Sequence, residues 1–557
     1  MSDNRERKDY KMKSKLLFYL TAFITGLSVM AIELGASRLM APYFSSSQIV
    51  WTIIIGTIMI AMALGNVVGG RMADKHKTPD RLFIWLFAAA TWTMLIPLFG
   101  KFIISGTALV LALFVTKNYL VVAAFVSAIL VFVFPLMVMG MVTPNLVKYA
   151  VSNLEENGRT CGIIEACNTI GSIIGTFLPT FVTIPYVGTS MTFIIFASVL
   201  YAVCLAYFFF RKKKRAVCSA VTAIALVIGL ASSNIGTAFW ADNIVYEGES
   251  IYNYLRVEDT NDSLIFSTNV LFGVQSIKNK EPGLTGMFYD YQLAGAVMTG
   301  AGENDDVSVL ILGLGTGTYA SQCDYYFGLK DIDGVEIDQS IIDLSHEYFS
   351  LPECVNTYAE DGRAFIARTD RKYDVIAVDA YQDITIPFQM SSVEFFTEVK
   401  NHLNQDGVLT LNMNMFTSDE GGINDYIIGT VSNVFENVYT VRAGDNLVLF
   451  ASNDFDCKLR LEEKLDSIED IRLRSFMSRV QRDCEAVEKS DYILTDDKAP
   501  VELLSMRALD EMVSEELDDM KKMIEGKGIK ELYDMLVEGQ HRSSIINYPI
   551  KSAAKSH

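Results

Sequence analysis

Six apolar runs crowd the first 210 of 557 residues, at 16–37, 49–70, 82–100, 119–143, 162–185 and 189–210. Each is close to or above the roughly 20 residues that a helix needs to cross a bilayer, where every backbone group must be bonded internally. Two weaker runs lie at 102–116 and 216–237; the first is only 15 residues long and suits a re-entrant segment. The expectation is a multi-pass, α-helical membrane domain of six to eight spans, partnered by the lipid bilayer. Glu33 and Arg38 read as a packing pair inside the first span. The IIEACNTIGSIIGT stretch presents a small-residue face suited to close helix packing.

Charge divides the chain. Residues 1–237 hold 20 Lys and Arg against 9 Asp and Glu, while the remainder holds 27 against 57. An apolar, basic half beside a strongly acidic half reads as a membrane domain plus a soluble domain. The acidic half argues against a nucleic-acid partner, since phosphates would be repelled, and is compatible with a cationic substrate. The eight cysteines show no C-x-x-C pair and no metal spacing, so they read as free thiols and no metal is expected. The basic N-terminus and the 71–81 loop read as cytoplasmic. With eight spans both chain ends are cytoplasmic but the basic run 211–215 faces outside; with seven, omitting 102–116, that run returns inside and the soluble domain goes out. A cytoplasmic soluble domain is expected because its small-molecule ligand would be supplied there.

Four segments follow: a membrane domain over 1–240, a small β subdomain over 244–300, a Rossmann-like nucleoside-binding domain over 301–455, and an acidic helical extension over 456–557. Short strands are predicted at Ile251–Val257, Ser263–Ser267 and Leu271–Ile277. Residues 307–450 alternate strand and helix patterns, which predicts a parallel sheet with crossover helices.

The chemistry begins at VSVLILGLGTGT, residues 307–318. A buried strand runs into Gly313, Gly315 and Gly317. Glycines there let the backbone approach a nucleoside, and the acid closing the next strand, Glu336, suits the ribose hydroxyls. Asp361 falls where a third strand should end, and Asp379, in YDVIAVDAY, closes a fourth. Open α/β sheets bind ligands at these carboxyl ends. Any one acid there could instead be a helix cap, which is the reading for Asp338.

This pattern resembles the spermidine synthase (polyamine aminopropyltransferase) family, a branch of the class I adenosylmethionine-dependent transferase fold with a small N-terminal β subdomain. The resemblance covers roughly 245–450. It implies Gln275 as a nucleoside contact, Glu336 on the ribose, and Asp361 with Gly362 at the adenine edge. It implies Asp379 as the catalytic acid–base and Tyr289 as a substrate contact; Asp290, Tyr381 and Asp383, the last as a second ammonium holder, are further candidates around the substrate. The implied donor is decarboxylated S-adenosylmethionine, the acceptor a polyamine such as putrescine, and homo-oligomerisation a further expectation. IELGASRLMAPYF, GRMADK and NTIGSIIGT resemble the membrane region of fused major-facilitator/spermidine-synthase-type proteins, and the later ILTDDKAPVELL also resembles that group. Three positions depart from the soluble synthases: Thr316 replaces an Asp in the glycine turn, Asp383 lies four rather than three residues after Asp379, and Asp290-Tyr291 replaces His-Glu after Tyr289. Asp290, Asp383, Asp496 and Asp497 are candidates for rebuilding a cation site. Two alternatives remain open, a methyltransferase using S-adenosylmethionine itself and a non-catalytic transporter or sensor.

Overall fold

Uninterrupted apolar sequence becomes helix over most of the first 232 residues. The structure is a computed structural model that describes residues 2–151, 157–212, 214–239, 243–269, 274–302, 306–380, 386–414 and 420–524. The chain divides into two compact units. The first holds residues 1–242 with 247–254 and 269–271; the second holds 243–246, 255–268 and everything from 272 onward.

The helical unit comprises α1 (Ser2–Phe44), α2 (Gln48–Lys75), α3 (Asp80–Ala112), α4 (Tyr119–Gly140), α5 (Val142–Ala150), α6 (Asn157–Leu178), α7 (Ile184–Phe210) and α8 (Arg215–Ser232). Six helical stretches among the described residues are long and apolar enough to cross a membrane. One of them, Asn157–Phe210, contains both α6 and α7 and is broken at Gly188, whose φ of 79° is not helical. The 102–116 run is not a separate segment. It continues α3, a single 33-residue helix. Pro97 removes one ladder bond without ending the helix. Lys101 is tolerated inside it because its Nζ donates to the carbonyl of Ile235.

Close packing follows the small residues. A Cβ on Gly26, Gly171 or Gly175 would overlap the backbone of the facing helix in the α1–α6 pair, and one on Gly65 or Gly140 would do so in the α2–α4 pair. Such backbone approach is how helices associate where water supplies no hydrophobic drive.

After the helices come β1 (Ile244–Glu249), β2 (Tyr254–Asp259), β3 (Ser263–Thr268) and β4 (Ser276–Asn279), in sheet order β1-β2-β3-β4. β2 starts later than the sequence predicts. Ser250 Oγ accepts from Tyr252 N at 3.1 Å and Asn253 N at 2.9 Å, which makes 250–253 a turn.

The second unit then runs α9 (Phe288–Met298), β5 (Val309–Leu312), α10 (Thr318–Phe327), β6 (Ile332–Glu336), α11 (Gln339–Glu347), β7 (Val355–Ala359), α12 (Gly362–Arg368), β8 (Tyr373–Val378), α13 (Val393–Asn401), β9 (Leu403–Met413), α14 (Ile423–Val434), β10 (Asn437–Ala443), β11 (Asn446–Ser452), α15 (Cys457–Lys464), α16 (Ile471–Asp483), β12 (Glu485–Ala486) and α17 (Val501–Ile524). Eight strands form one sheet, ordered β12-β10-β11-β9-β8-β5-β6-β7. β7, β6, β5, β8 and β9 are parallel, and β11 inserts antiparallel beside β9. VLIL of β5 is buried throughout, as a strand covered by helices on both faces must be. Strand order reverses at β5, and that switch point is where such sheets hold ligands. The core does not end at 455: Cys457, Leu461, Phe476 and Met477 share one apolar cluster with Leu293, Val309 and Phe450.

Candidate active site

The turn after β5 is pressed against the exit of β8. Gly313, Gly315 and Gly317 have φ of 93°, 55° and 79°, a region that L side chains avoid. A Cβ on Gly313 would stand 2.5 Å from the Asp379 carbonyl oxygen and 2.7 Å from Ala380 N. Gly313 N and Leu314 N both donate to Val335 O at 2.9 Å. Gly315 N donates to Glu336 Oε2 at 3.0 Å, and Asp338 N donates to Glu336 Oε1 at 3.2 Å. The small sheet reaches the same turn: Thr316 N donates to Ser276 Oγ at 3.3 Å and Thr318 Oγ1 to the Ile277 carbonyl at 2.9 Å. Thr316 Oγ1 is buried without a hydrogen-bond partner among the described residues.

Two carboxyl groups at this rim are held near neutrality. Burial pushes Asp379 from its ordinary range up to about 8, opposed by a hydrogen bond from Asn412 and reinforced by the charge of Glu336. Burial likewise raises Glu336 to about 7, with the Gly315 and Asp338 amides pulling the other way. Asn412 Nδ2 donates to Asp379 Oδ1 at 2.9 Å, and Asn446 Nδ2 donates to Asn412 Oδ1 at 2.9 Å. This chain of two amides orients Asp379. Sequence reasoning missed it; the only signal is a polar residue late in the apolar run GVLTLNM of β9.

Tyr289 OH donates to the Gln275 carbonyl at 2.6 Å. Burial, then the nearby charge of Asp379, hold its phenol well above the usual range, so it stays protonated. Gln275, Tyr289, the glycine turn, Glu336 and Asp379 are therefore brought together. Gly362 joins them at the end of β5, where its Cβ would stand 3.6 Å from that of Leu312. Asp361 caps α12, accepting from Ala364 N at 2.9 Å.

Asp290 is a different matter. It is fully buried, and it accepts from Thr285 N and Oγ1, each at 3.0 Å, from Gly286 N at 2.7 Å and from Gln322 Nε2 at 2.6 Å. Its carboxylate thus holds the entry to α9 rather than a substrate. Asp496 is likewise occupied, by a two-pronged pair with Arg363 at 2.6 and 2.8 Å that keeps its carboxyl below the ordinary range. Tyr381 and Asp383 lie outside the described residues.

A parallel sheet in this order, with a glycine turn on one strand and acids closing its neighbours, defines a class I adenosylmethionine-type transferase fold. Residues 288–443 match the spermine/spermidine synthase domain family. A probable polyamine aminopropyl transferase of Bifidobacterium longum (strain NCC 2705) is 44% identical over 343 residues, 58% of this chain and 76% of that protein. A polyamine aminopropyltransferase of Vibrio vulnificus (strain CMCP6) is 25% identical over 47% of this chain and 91% of its own length. A solved probable spermidine synthase from Corynebacterium glutamicum ATCC 13032 aligns over 45% of this chain and 99% of its own, at 18% identity and a TM-score of 0.35. The chain belongs to the polyamine aminopropyltransferase (spermidine synthase) family, and it is a transferase.

Proposed function

We propose that this is a membrane-anchored aminopropyltransferase that moves the aminopropyl group of decarboxylated S-adenosylmethionine to a polyamine such as putrescine. The observation that carries the reading is Asp379, a carboxyl held near neutrality where the β5 glycine turn meets the β8 exit. A carboxyl of that pKa can hold an ammonium and then take its proton. The nitrogen lone pair forms a bond to the methylene carbon next to sulfur, the carbon–sulfur bond breaks, and its electrons neutralise the sulfonium to a thioether. The proton lost by nitrogen goes to Asp379. The leaving group needs no acid, so alignment of nitrogen, carbon and sulfur supplies much of the rate. In this reading Gln275, Glu336, Asp361 and Gly362 hold the nucleoside. Tyr289 lines the acceptor side, and Tyr381 and Asp383 belong to the acceptor set from their sequence position. The six apolar helical stretches support the bilayer anchor and the likeness to a major-facilitator half.

Thr316 favours a second reading. Its unpartnered hydroxyl replaces the acid that resemblance places on the donor's amine, and a methyltransferase would need no charge there. A thermal-shift panel on the purified protein separates the two. Stabilisation by methylthioadenosine above adenosylhomocysteine, with diamine-dependent consumption of decarboxylated donor, is the expected result. The reverse order of ligands, without diamine turnover, would overturn the aminopropyl reading.

A further inference from the structure

We infer that the transferase unit stands on the side of the membrane away from the cytoplasm, the reverse of what donor supply suggests. The inference rests on the membrane-anchored reading and uses only helix direction, connectivity and loop charge.

Joining the 102–116 run to α3 fixes the number of crossings. α6 runs alongside α1 in the same direction, since Gly171 abuts Phe23 and Gly175 abuts Leu27. α7 runs back: Tyr201 OH donates to Thr91 Oγ1 at 2.8 Å, and six residues later Tyr207 OH donates to Asp80, the first residue of α3. α8 then follows α3, with Gly229 against Met94 and the Ile235 carbonyl on Lys101. Among the described residues seven traverses result: α1, α2, α3, α4 with α5, α6, α7 and α8. Just past α8, the Thr237 carbonyl accepts from Tyr43 OH at 3.1 Å, near the C-terminal end of α1. The chain therefore leaves the helices at the end opposite to the one where α1 begins.

The two ends differ sharply in charge. Of the 20 Lys and Arg before Ala238, 17 lie at or before Lys15 or within 71–81, 148–159 and 211–215. The described residues of all these segments fall at the end where α1 begins. They also bond to one another there: Lys148 to Asp74 at 2.9 Å, Tyr149 OH to the His76 carbonyl at 3.0 Å, and Arg211 to Asp80 at 3.5 Å. The connections at the other end are Ser45-Ser46-Ser47, the 113–118 turn with Lys117 alone, and the uncharged 179–188 segment. Arg38 and Lys101, the remaining two cations, donate to backbone carbonyls. Short loops rich in Lys and Arg stay in the cytoplasm. The basic end is therefore cytoplasmic, and residue 243 onward lies across the membrane from it. Both substrates are then met outside the cytoplasm, and an export step for the nucleoside donor must precede this reaction.

A membrane-impermeant maleimide applied to intact cells tests this on the full chain. Lys77, Lys117 and Asp370 are exposed, and none belongs to the site. Lys117→Cys and Asp370→Cys are expected to label without permeabilisation, and Lys77→Cys only after it. The wild-type chain, with Cys161 exposed at the basic end, sets the baseline. Labelling of Asp370→Cys only after permeabilisation, together with Lys77→Cys, would overturn the inference. A protease added to intact cells gives a second readout with no substitution: loss of the transferase unit supports the inference, and its full protection refutes it. Neither measurement depends on the reaction, so the aminopropyl reading survives either outcome.

Discussion

Asp290 is fully buried and Asp379 partly exposed, and the surroundings of these two acids of the transferase unit give them different work. Asp290 takes four donors. Among the described residues Asp379 takes one side-chain donor, Asn412. A folded-state pKa near 8 favours the protonated acid, so its contribution to stability is present below about pH 4 and lost as pH rises toward 8. An ammonium, however, requires the ionised form. Polyamine affinity is therefore expected to climb about tenfold per unit up to about pH 8 and then level off. In Asp379→Asn the slope should vanish and turnover should fall by about 10²–10⁴-fold, with nucleoside affinity nearly intact. Calorimetric titration across pH 6–9 checks it, and an unchanged slope in the variant would remove Asp379 from the acceptor site. Asp379 was legible because it closes an apolar run. Asn412 was not, because one amide in a strand has no periodicity. Asp290 was misplaced because its partners Thr285 and Gly286 precede α9, and spacing alone does not show a side chain folding back onto them.

At the scale of elements, the β5 turn is the most demanding piece of the fold. Gly313→Ala puts a methyl group against the Asp379 carbonyl and an L residue at φ 93°. It should cost about 1–3 kcal/mol, lowering Tm by several degrees, and weaken adenosyl-ligand binding in parallel. A melting curve unchanged from wild type would show that the turn can shift. The parallel order and the acids at the ends of β6 and β8 were readable from apolar runs and punctuation. Two features were not. The short 102–116 run looked separable because length alone cannot show a helix continuing past Lys101. The acidity of the stretch from 456 hides the apolar stripe by which α15 and α16 join the core.

For the whole molecule, the charge split announced two units, but not where the boundary falls. Residues 247–254 belong with the helices. Glu249 Oε2 accepts from Thr189 N at 2.9 Å and Thr189 Oγ1 at 2.6 Å, and Arg38 Nη1 donates to the Tyr252 carbonyl at 2.9 Å. A chain starting at Asn243 strips those donors from a carboxylate that burial already disfavours. It is expected to melt below the full chain in the same detergent, and equal melting temperatures would show that residues 247–254 need no helices.

The glycine seams have a mechanical corollary. Where α1 meets α6 and α2 meets α4, main chain touches main chain with no side-chain cushion between. Each pair behaves as one double-width stave. Any rocking of the bundle must pivot on the cushioned seams around α3 and α7, leaving those two staves rigid.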